Sequence, residues 1–287
     1  MTRGIDHLVL AVRDLDRARA FYESLGFTLT PRAFHPWGTA NHLVQLDGCF
    51  LELLGIADAA KIPPHAPGEF SFGAHNRDFL ARREGMSMLV FQSHDARRDR
   101  DEFAAAGLQT YAPFDFGREA KLPDGGTARV AFSLAYVTDP RMPDCVFFSC
   151  QQHAPKYFWK REYQVHANGA RTIAEVVMAA PDPPALADLF AGLQGGDSVR
   201  VADGALAVAT ARGRVLVLTP RAFAARFGAA PPSPPTPHLA AFRIAGVDVG
   251  AAKTRLASAG IPHRAREGLL QVSAAAAHGV AVELSPD

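Results

Sequence analysis

The chain has 287 residues and carries 30 Lys and Arg against 29 Asp and Glu, so its formal net charge is +1. Hydrophobic residues make up 48% and charged residues 21%, which is typical of a folded globular protein and excludes a disordered chain. No apolar run reaches the ~18 residues of a membrane-spanning helix, and neither half has the basic excess of a nucleic-acid-binding protein, so the expected partner is a small molecule.

The first predicted elements form a unit of one strand, one helix and three strands, written βαβββ. Residues 6–12 are apolar and β-branched and predict the first strand. A helix follows, with Asp14 or Asp16 as its N-cap and Gly26 just beyond its end, where glycine is preferred. Three further strands are predicted near residues 27–33, 41–47 and 49–55.

The same pattern returns three times along the chain. The second copy has a strand, a helix and two later strands, at 86–92, 94–106, 128–137 and 145–151. The third and fourth copies have their elements at 173–180, 183–193, 199–202, 205–210 and 214–219, and at 239–244, 248–259, 269–272 and 279–285. These last two copies end alike, since Gly213-Arg-Val-Leu-Val-Leu-Thr-Pro aligns without gaps with Gly279-Val-Ala-Val-Glu-Leu-Ser-Pro.

Four such units predict an α+β protein in which four βαβββ modules form two pairs, because a single unit leaves one sheet face exposed. Each pair is expected to form a curved mixed sheet that encloses a cleft, with helices outside. The predicted divisions are an N-terminal pair at 1–153 (modules about 4–56 and 84–152), a connector at 154–169, and a C-terminal pair at 170–287 (modules about 170–220 and 238–287). Long inserts at 56–84 and 110–127 predict lids, and the Pro-rich segment 229–237 predicts a stiff linker.

The cysteines and the N-terminus predict a cytoplasmic protein. Cys49, Cys145 and Cys150 are too few and too scattered for a disulfide framework, so reduced thiols are expected. The first residues lack the basic and then apolar layout of a signal peptide. Four modules in one chain remove the need for a partner to complete a cleft, so the chain is expected to be a monomer or a homodimer.

Three segments carry a resemblance to a known family. They are Gly4-Ile-Asp-His-Leu-Val-Leu-Ala-Val, His35-Pro-Trp-Gly-Thr-Ala-Asn41 and Phe50-Leu-Glu-Leu-Leu-Gly55. Together with the repeat, they resemble the vicinal-oxygen-chelate superfamily, which includes glyoxalase I and extradiol dioxygenases, and more closely, over residues 4–170, its glyoxalase-like domain family. The resemblance implies a divalent metal ion (Zn, Fe, Mn, Ni or Co) on the cleft side of the sheet, held by His, Gln or Glu from the first and last strands of each module.

Strand alternation tests these positions in the first module, because successive side chains face opposite sides of a sheet. If Leu8 and Leu10 face the helix, His7 faces the cleft, and Glu52 does so on the last strand. His7 and Glu52 are therefore the predicted metal ligands, since an imidazole and a carboxylate suit these metals. The alternative is a hydrogen bond between His7 and Glu52 without a metal.

The second module departs from the family pattern. Its first strand offers Ser87 or Met88 where His is expected, and its last strand has no Glu. The nearest residues of ligand type lie just downstream. His153 is predicted as the third metal ligand and Gln151 as a substrate contact, although His153 could equally cap the turn that follows.

The C-terminal pair offers Glu175, His238 and Glu283 as ligand types. Both Glu residues match the ligand positions, whereas alternation places His238 on the helix side. Arg243 would share the cleft side with the two carboxylates and form a structural ion pair. The C-terminal pair is therefore predicted to be a degenerate half without a metal site.

Two further segments supply candidate substrate and acid–base groups. Trp37 could stack on an apolar substrate, and Thr39 and Asn41 could bond to its oxygens; the alternative is a plain turn at 36–39. In the connector, His166 is the candidate acid–base group, whereas Trp159 is expected to pack between the halves.

Three functions are compatible with these residues. The preferred one is a metal-dependent lyase or isomerase, in which the ion stabilises an enolate or alkoxide and, by resemblance, Glu52 moves the proton. The second is an extradiol-type ring-cleaving dioxygenase, whose ligands would lie in the C-terminal pair. The third is a metal-free protein that binds or sequesters a small molecule, which the missing ligands of the second module favour.

Overall fold

The computed structural model describes residues 2–121, 126–232 and 236–287. The first module consists of β1 (Ile5–Ala11), α1 (Leu15–Ser24), β2 (Ala33–Phe34), β3 (Thr39–Gln45) and β4 (Phe50–Ile56). A 3₁₀ turn (Ala59–Lys61) and α2 (Phe72–Arg82) follow it. The second module consists of β5 (Gly85–Ser93), α3 (Ala96–Ala105), β6 (Gln109–Thr110), β7 (Phe114–Lys121), β8 (Thr127–Thr138) and β9 (Val146–Gln152).

A connector with α4 (Pro155–Phe158) and a 3₁₀ turn (Arg161–Tyr163) leads to the second half. The third module consists of β10 (Thr172–Ala179), a 3₁₀ turn (Pro183–Leu186), α5 (Ala187–Gln194), another 3₁₀ turn (Gly196–Ser198), β11 (Val199–Ala202), β12 (Ala205–Ala209) and β13 (Arg214–Leu218), and α6 (Pro220–Phe227) follows it. The fourth module consists of β14 (His238–Ala245), α7 (Val249–Ser258), β15 (His263–Arg266), β16 (Leu269–Val272) and β17 (Ala281–Leu284).

The strands form two mixed sheets with the same topology. The first has the order β2-β3-β4-β1-β5-β9-β8-β6, with β7 paired to β8, and the second has the order β11-β12-β13-β10-β14-β17-β16-β15. The last strand of each module runs parallel to its first strand, and paired modules meet through antiparallel first strands. The predicted α+β fold of four βαβββ modules in two pairs is confirmed.

The first strand of every module carries one extra residue where it pairs with its partner module. The register shifts place these β-bulges at Asp6, Ser87, Ala174 and Ala240. A bulge interrupts alternation and re-aims the side chains beside it. Because it occurs in all four modules, the bulge belongs to the fold itself.

The two faces of each sheet pack into different cores. The helix-facing sides of both sheets share one continuous core, in which Phe147 of β9 contacts Phe190 of α5 with ring centroids 5.7 Å apart. The opposite faces form separate clusters, one around Val9 and Phe148 and one around Val177. Each pair therefore has its own cleft, on the side away from the shared core.

Helix ends follow the sequence, whereas the inserts are more ordered than expected. Asp14 caps α1 by accepting from the Arg17 N–H, and Gly26 follows the helix with φ 93°. The first insert contains α2, which covers one end of the first cleft beside Ala11, and the second contains β7. Residues 122–125 of that insert and 233–235 of the predicted linker lie outside the described residues. Within the ranges given above, none of the helices is long and apolar enough to cross a membrane.

Candidate functional site

A cavity of about 60 Å³ lies on the cleft face of the first sheet, with room for about four or five water molecules. Its strongly polar lining comes from the first module, from His7, His35, Asn41 and Glu52, and the second module adds Cys150. Most of the remaining wall is aromatic, formed by Trp37, Phe50, Phe72, Phe116, Phe132, Phe148 and Phe158. The cavity thus exposes a small polar cluster to an apolar, low-dielectric space, in which electrostatic interactions are strong.

Strands β1 and β4 place His7 and Glu52 opposite each other, as alternation predicts. Both side chains are buried, and His7 Nε2 lies 3.9 Å from Glu52 Oε2. The His7 ring is stacked on Phe50, with centroids 4.1 Å apart and an interplanar angle of 13°. The separation exceeds that of a hydrogen bond, so these two groups face each other without bonding directly.

Asp6 holds the other ring nitrogen of His7. His7 Nδ1 lies 2.6 Å from Asp6 Oδ1, and Asp6 is only 2% exposed. An ionised carboxylate can only accept, so this contact requires a proton on Nδ1, and in the neutral ring Nε2 then presents a lone pair to the cavity. Regular alternation would place Asp6 on the opposite face of the strand from His7, and the bulge brings it to the same side.

Asn41 and His35 complete the polar cluster around Glu52. Asn41 Nδ2 donates to Glu52 Oε1 at 2.6 Å, and no described residue bonds to the buried Oδ1 of Asn41. His35 Nε2 lies 3.9 Å from Glu52 Oε1, while His35 Nδ1 contacts Thr39 Oγ1 at 2.8 Å. The His35 ring stacks on Trp37 at 4.7 Å. Thr39 therefore orients His35 and does not itself line the cavity.

Four of the residues predicted from the sequence lie on this face, and one of its strongly polar residues was not predicted. His7, Trp37, Asn41 and Glu52 line the cavity, whereas His35 was not proposed. His35 precedes β3 in a turn closed by Gly38, outside the strand positions where ligands were sought. The available signal was its place at the start of the His35-Pro-Trp-Gly-Thr-Ala-Asn41 segment.

Two predicted residues from the end of β9 do not reach the cavity, which corrects their predicted roles. His153 Nε2 instead contacts Ser133 Oγ at 2.8 Å, so the structure does not offer it as the third metal ligand. The Gln151 side chain accepts from the Ala96 N–H at 3.2 Å at the start of α3. Gln151 thus binds a helix end instead of a substrate.

His166 also lies away from the cavity. Its Nδ1 accepts from the Thr28 N–H at 3.0 Å, and its Nε2 donates to the Gln45 carbonyl at 2.8 Å. Burial lowers the pKa of His166, which keeps the ring neutral. With both nitrogens bonded to the backbone, His166 links the connector to the first module and is not placed for acid–base chemistry.

The bulges show which residues occupy equivalent ligand positions in the four modules. The first position is the residue directly after the bulge on the first strand of the module. The second is the residue on the last strand that pairs with the first strand two residues beyond that position. By this rule the pairs are His7 and Glu52, Met88 and Phe148, Glu175 and Leu216, and Ala241 and Glu283. The second module therefore presents only hydrocarbon and a thioether where the superfamily pattern implies ligands.

The second cleft holds an arginine between its two carboxylates. Arg226, from α6, lies with Nη2 2.5 Å from Glu175 Oε1 and also pairs with Glu283. Arg243, predicted for this place, is 3.9 Å from Glu175. His238 lies apart, with Nδ1 donating to the Thr236 carbonyl. A guanidinium thus occupies the place where a cation would otherwise bind.

The donor types of the first cleft fit the predicted divalent metal. Bonds of roughly 2.0–2.2 Å at a tetrahedral angle place two ligand atoms about 3.4 Å apart. His7 Nε2 and Glu52 Oε2 are 3.9 Å apart, so a shift of about 0.5 Å in one side chain would let both bind one ion. A carboxylate on the far nitrogen of His7 is also usual for metal-binding histidines. In the part of the chain that the structure describes, no three His, Cys, Asp or Glu side chains are grouped as a ready-made site, so His35 or Asn41 would have to supplement the pair.

Solved structures show the same fold at low sequence identity. A hypothetical protein from Staphylococcus aureus matches with a TM-score of 0.70 and 12% identity over 99% of both chains. A Mn(II)-bound glyoxalase from Novosphingobium aromaticivorans matches with 0.55 and 15%, covering 100% of this chain and 83% of that one. A mutant of 4-hydroxymandelate synthase from Streptomyces coelicolor matches with 0.55 and 13%, covering 99% and 92%. These likenesses establish the vicinal-oxygen-chelate fold.

The sequence comparison defines the family. No curated protein matches the chain. The family model described as "Glyoxalase-like domain" matches residues 5–194, which is more than half of the chain and includes every residue that lines the first cavity. The chain therefore belongs to the glyoxalase-like domain family.

Proposed function

We propose that the first cleft is the active site of a divalent-metal-dependent lyase or isomerase acting on a small oxygenated molecule. The observation that carries this proposal is the pair His7 Nε2 and Glu52 Oε2, which face each other in a buried cavity at 3.9 Å, close to the separation of two ligands of one ion. His7 and Glu52 would hold the ion, with His35 as the third candidate. When bound, it would supply Lewis acidity at a substrate oxygen.

Glu52 is the group placed to move a substrate proton. It is the one carboxylate among the described residues that line the cavity. Asn41 Nδ2 holds Oε1 at 2.6 Å and so fixes the plane of the carboxylate. The aromatic walls surround the carboxylate with apolar surface, which strengthens its interaction with any developing charge.

Asn41 indicates what the substrate carries. Because Nδ2 faces the Glu52 carboxylate, Oδ1 is the end of the amide that bonds to no described residue, and Oδ1 can only accept. Oδ1 is buried, so a ligand would reach it through a small shift of the Asn41 side chain. A substrate hydroxyl or N–H would satisfy it, whereas a carbonyl would not. We therefore propose a hydroxylated substrate with a small apolar body.

Metal analysis tests the proposed centre. Protein purified without chelator and re-supplied with Zn, Fe, Mn, Ni or Co is expected to hold about one ion per chain. His7→Ala and Glu52→Ala should lose it, because each removes one of the two facing donors, and His35→Ala should bind more weakly. His153→Ala is the matched control and should bind like wild type. An ion that remains in His7→Ala and Glu52→Ala, or no ion under any condition, would refute the proposal.

Ligand-detected NMR tests the part played by Asn41. Hydroxyacetone and butanone have nearly the same shape and differ by a hydroxyl in place of a methyl group. Wild type should favour hydroxyacetone about five-fold more than Asn41→Leu does, since one hydrogen bond contributes about 1 kcal/mol. Gln151→Leu, which also replaces a side-chain amide by leucine but lies outside the cavity, should keep the wild-type preference. Equal preference in wild type and Asn41→Leu would exclude the hydroxyl assignment.

A metal-free binding protein is the second candidate function. The observation that favours it is the apolar wall of the second module, where Met88 and Phe148 occupy the equivalent ligand positions. In that case the cavity would bind its ligand through Asn41, His7 and the aromatic rings alone. Tight ligand binding without metal and without turnover would support this candidate over the enzyme. A dioxygenase with ligands in the C-terminal pair is disfavoured, because Arg226 lies between the carboxylates there.

A further inference from the structure

We infer that Asp6 is a positioning residue that selects the tautomer of His7 and so decides which ring nitrogen faces the substrate cleft. The inference deepens the proposed function, in which His7 Nε2 acts on the metal or the ligand. The tautomer itself is a property of the ligand-free protein and can be measured whether or not that function is correct.

The bulge in β1 makes the contact between these neighbours possible. Adjacent residues of a regular strand point to opposite faces, so Asp6 and His7 would not meet. The extra residue at Asp6 brings its carboxylate to 2.6 Å from His7 Nδ1. The second carboxylate oxygen, Oδ2, accepts from Gln152 Nε2 at 3.3 Å, so Asp6 is held from both sides.

The bulge does not depend on the carboxylate. The equivalent positions in the other modules are Ser87, Ala174 and Ala240, and the strand pairing shifts there in the same way. Alanine is thus already compatible with this backbone in two modules. Asp6→Ala is therefore expected to fold with its bulge intact, which makes it a usable variant.

The chemical consequence follows from what each group can donate. The Asp6 carboxylate accepts only, so it stabilises the tautomer with the proton on Nδ1. The Nε2 lone pair then faces Glu52 and the cavity, as a metal ligand or a base requires. In the other tautomer, the Asp6 carboxylate would face a second lone pair in a buried setting, which is costly.

Long-range ¹⁵N–¹H NMR of the histidine rings measures the tautomer directly. The metal-free protein is observed at alkaline pH, where imidazoles are neutral, and His7→Gln identifies the His7 signals. Wild type should show His7 with the proton on Nδ1, and Asp6→Ala should shift it toward Nε2. Gln152→Ala is the matched control, since it removes the other contact of Asp6 and should leave the tautomer unchanged.

Zinc titration gives a second readout. Asp6→Ala should weaken zinc binding 10- to 100-fold, the usual cost of losing the partner of a metal-binding histidine, while Gln152→Ala should change it little. Wild-type His7 protonated on Nε2, or the same tautomer in Asp6→Ala, would overturn the inference. So would unchanged zinc affinity in a variant whose tautomer has switched. If wild type binds no metal, the proposed metal function fails, and the NMR measurement of the His7 tautomer alone then tests the role of Asp6.

Discussion

Arg226→Met is expected to lower the free energy of unfolding by about 3–5 kcal/mol, the cost of leaving a buried charge without its partner. Glu175 is fully buried and Glu283 nearly so, and the Arg226 guanidinium lies between them. Removing it leaves two carboxylates facing each other in the second cleft. Urea denaturation of wild type and variant measures the difference.

Arg214 provides the matched control for this experiment. Its Nε also pairs with Glu175, at 2.5 Å, but its side chain is 56% exposed against 21% for Arg226. The Arg214 guanidinium is already half solvated, and its removal opens Glu175 Oε2 toward solvent, so Arg214→Met should cost less than Arg226→Met. Adding Glu175→Gln and Glu283→Gln to Arg226→Met should restore most of the loss, because the uncompensated charges disappear. Equal losses in Arg226→Met and Arg214→Met would contradict this account of the second cleft.

The module repeat, the helix ends and the cleft-facing positions were predictable because each follows from a local rule. Alternation between the leucines of β1 placed His7 on the cleft side, and Glu52 followed on β4. Glycine after α1 marked its end, as helix geometry requires. Such patterns depend on neighbours two to four residues apart, and a single sequence displays them directly.

The role of Asp6 could not be predicted from the sequence, because a bulge interrupts the alternation of side chains between the two faces of a strand. The pattern of apolar residues is the same with or without one extra residue at the start of β1. Only the register against β5 reveals it. The same break in the other three modules shows that the fold imposes the bulge, whereas the carboxylate is particular to the first module.

Arg226 was missed for a different reason. It lies on α6, a helix outside the βαβββ pattern, and contacts residues more than fifty positions away in each direction along the chain. Nothing local distinguishes it from a solvated arginine on a helix. The sequence did suggest an arginine between Glu175 and Glu283, but alternation pointed to Arg243, because only strand residues were considered.

Acid is expected to destabilise the protein between pH 6.5 and pH 4 through His75 and His238. Burial lowers the pKa of each from 6.5 to about 4. Nε2 of each ring is buried and bonds to none of the described residues, so a proton there would carry an uncompensated charge. Near His75 the Asp144 carboxylate raises the pKa more than Arg82 lowers it, and at His238 the hydrogen bond to the Thr236 carbonyl raises it more than Arg83 lowers it. Burial is therefore the cause of both low pKa values.

The direction in which stability changes with pH follows from the number of protons bound by the folded and the unfolded chain. The unfolded chain takes up these protons near pH 6.5, whereas the folded chain does so only near pH 4. Between these values the unfolded state binds more protons, so stability falls as the pH falls. Each histidine accounts for about 3 kcal/mol across this window. Carboxylates with lowered pKa values, such as Asp115 and Asp139, act in the same direction but only below their usual value of 3.8.

Urea unfolding across this range, with single and paired His75→Gln and His238→Gln variants, separates the two contributions. Each substitution should remove about half of the slope that the two histidines cause, and the pair should remove nearly all of it, because glutamine cannot take up a proton. The rings are on different elements, α2 and β14, but both interact with Asp144, so their effects should add only approximately. A smaller slope should remain in the double variant, because burial also lowers the pKa of His42, His166 and His278. A wild-type stability that stays flat from pH 6.5 to pH 4, or a double variant that keeps the full wild-type slope, would show that His75 and His238 do not control the acid response.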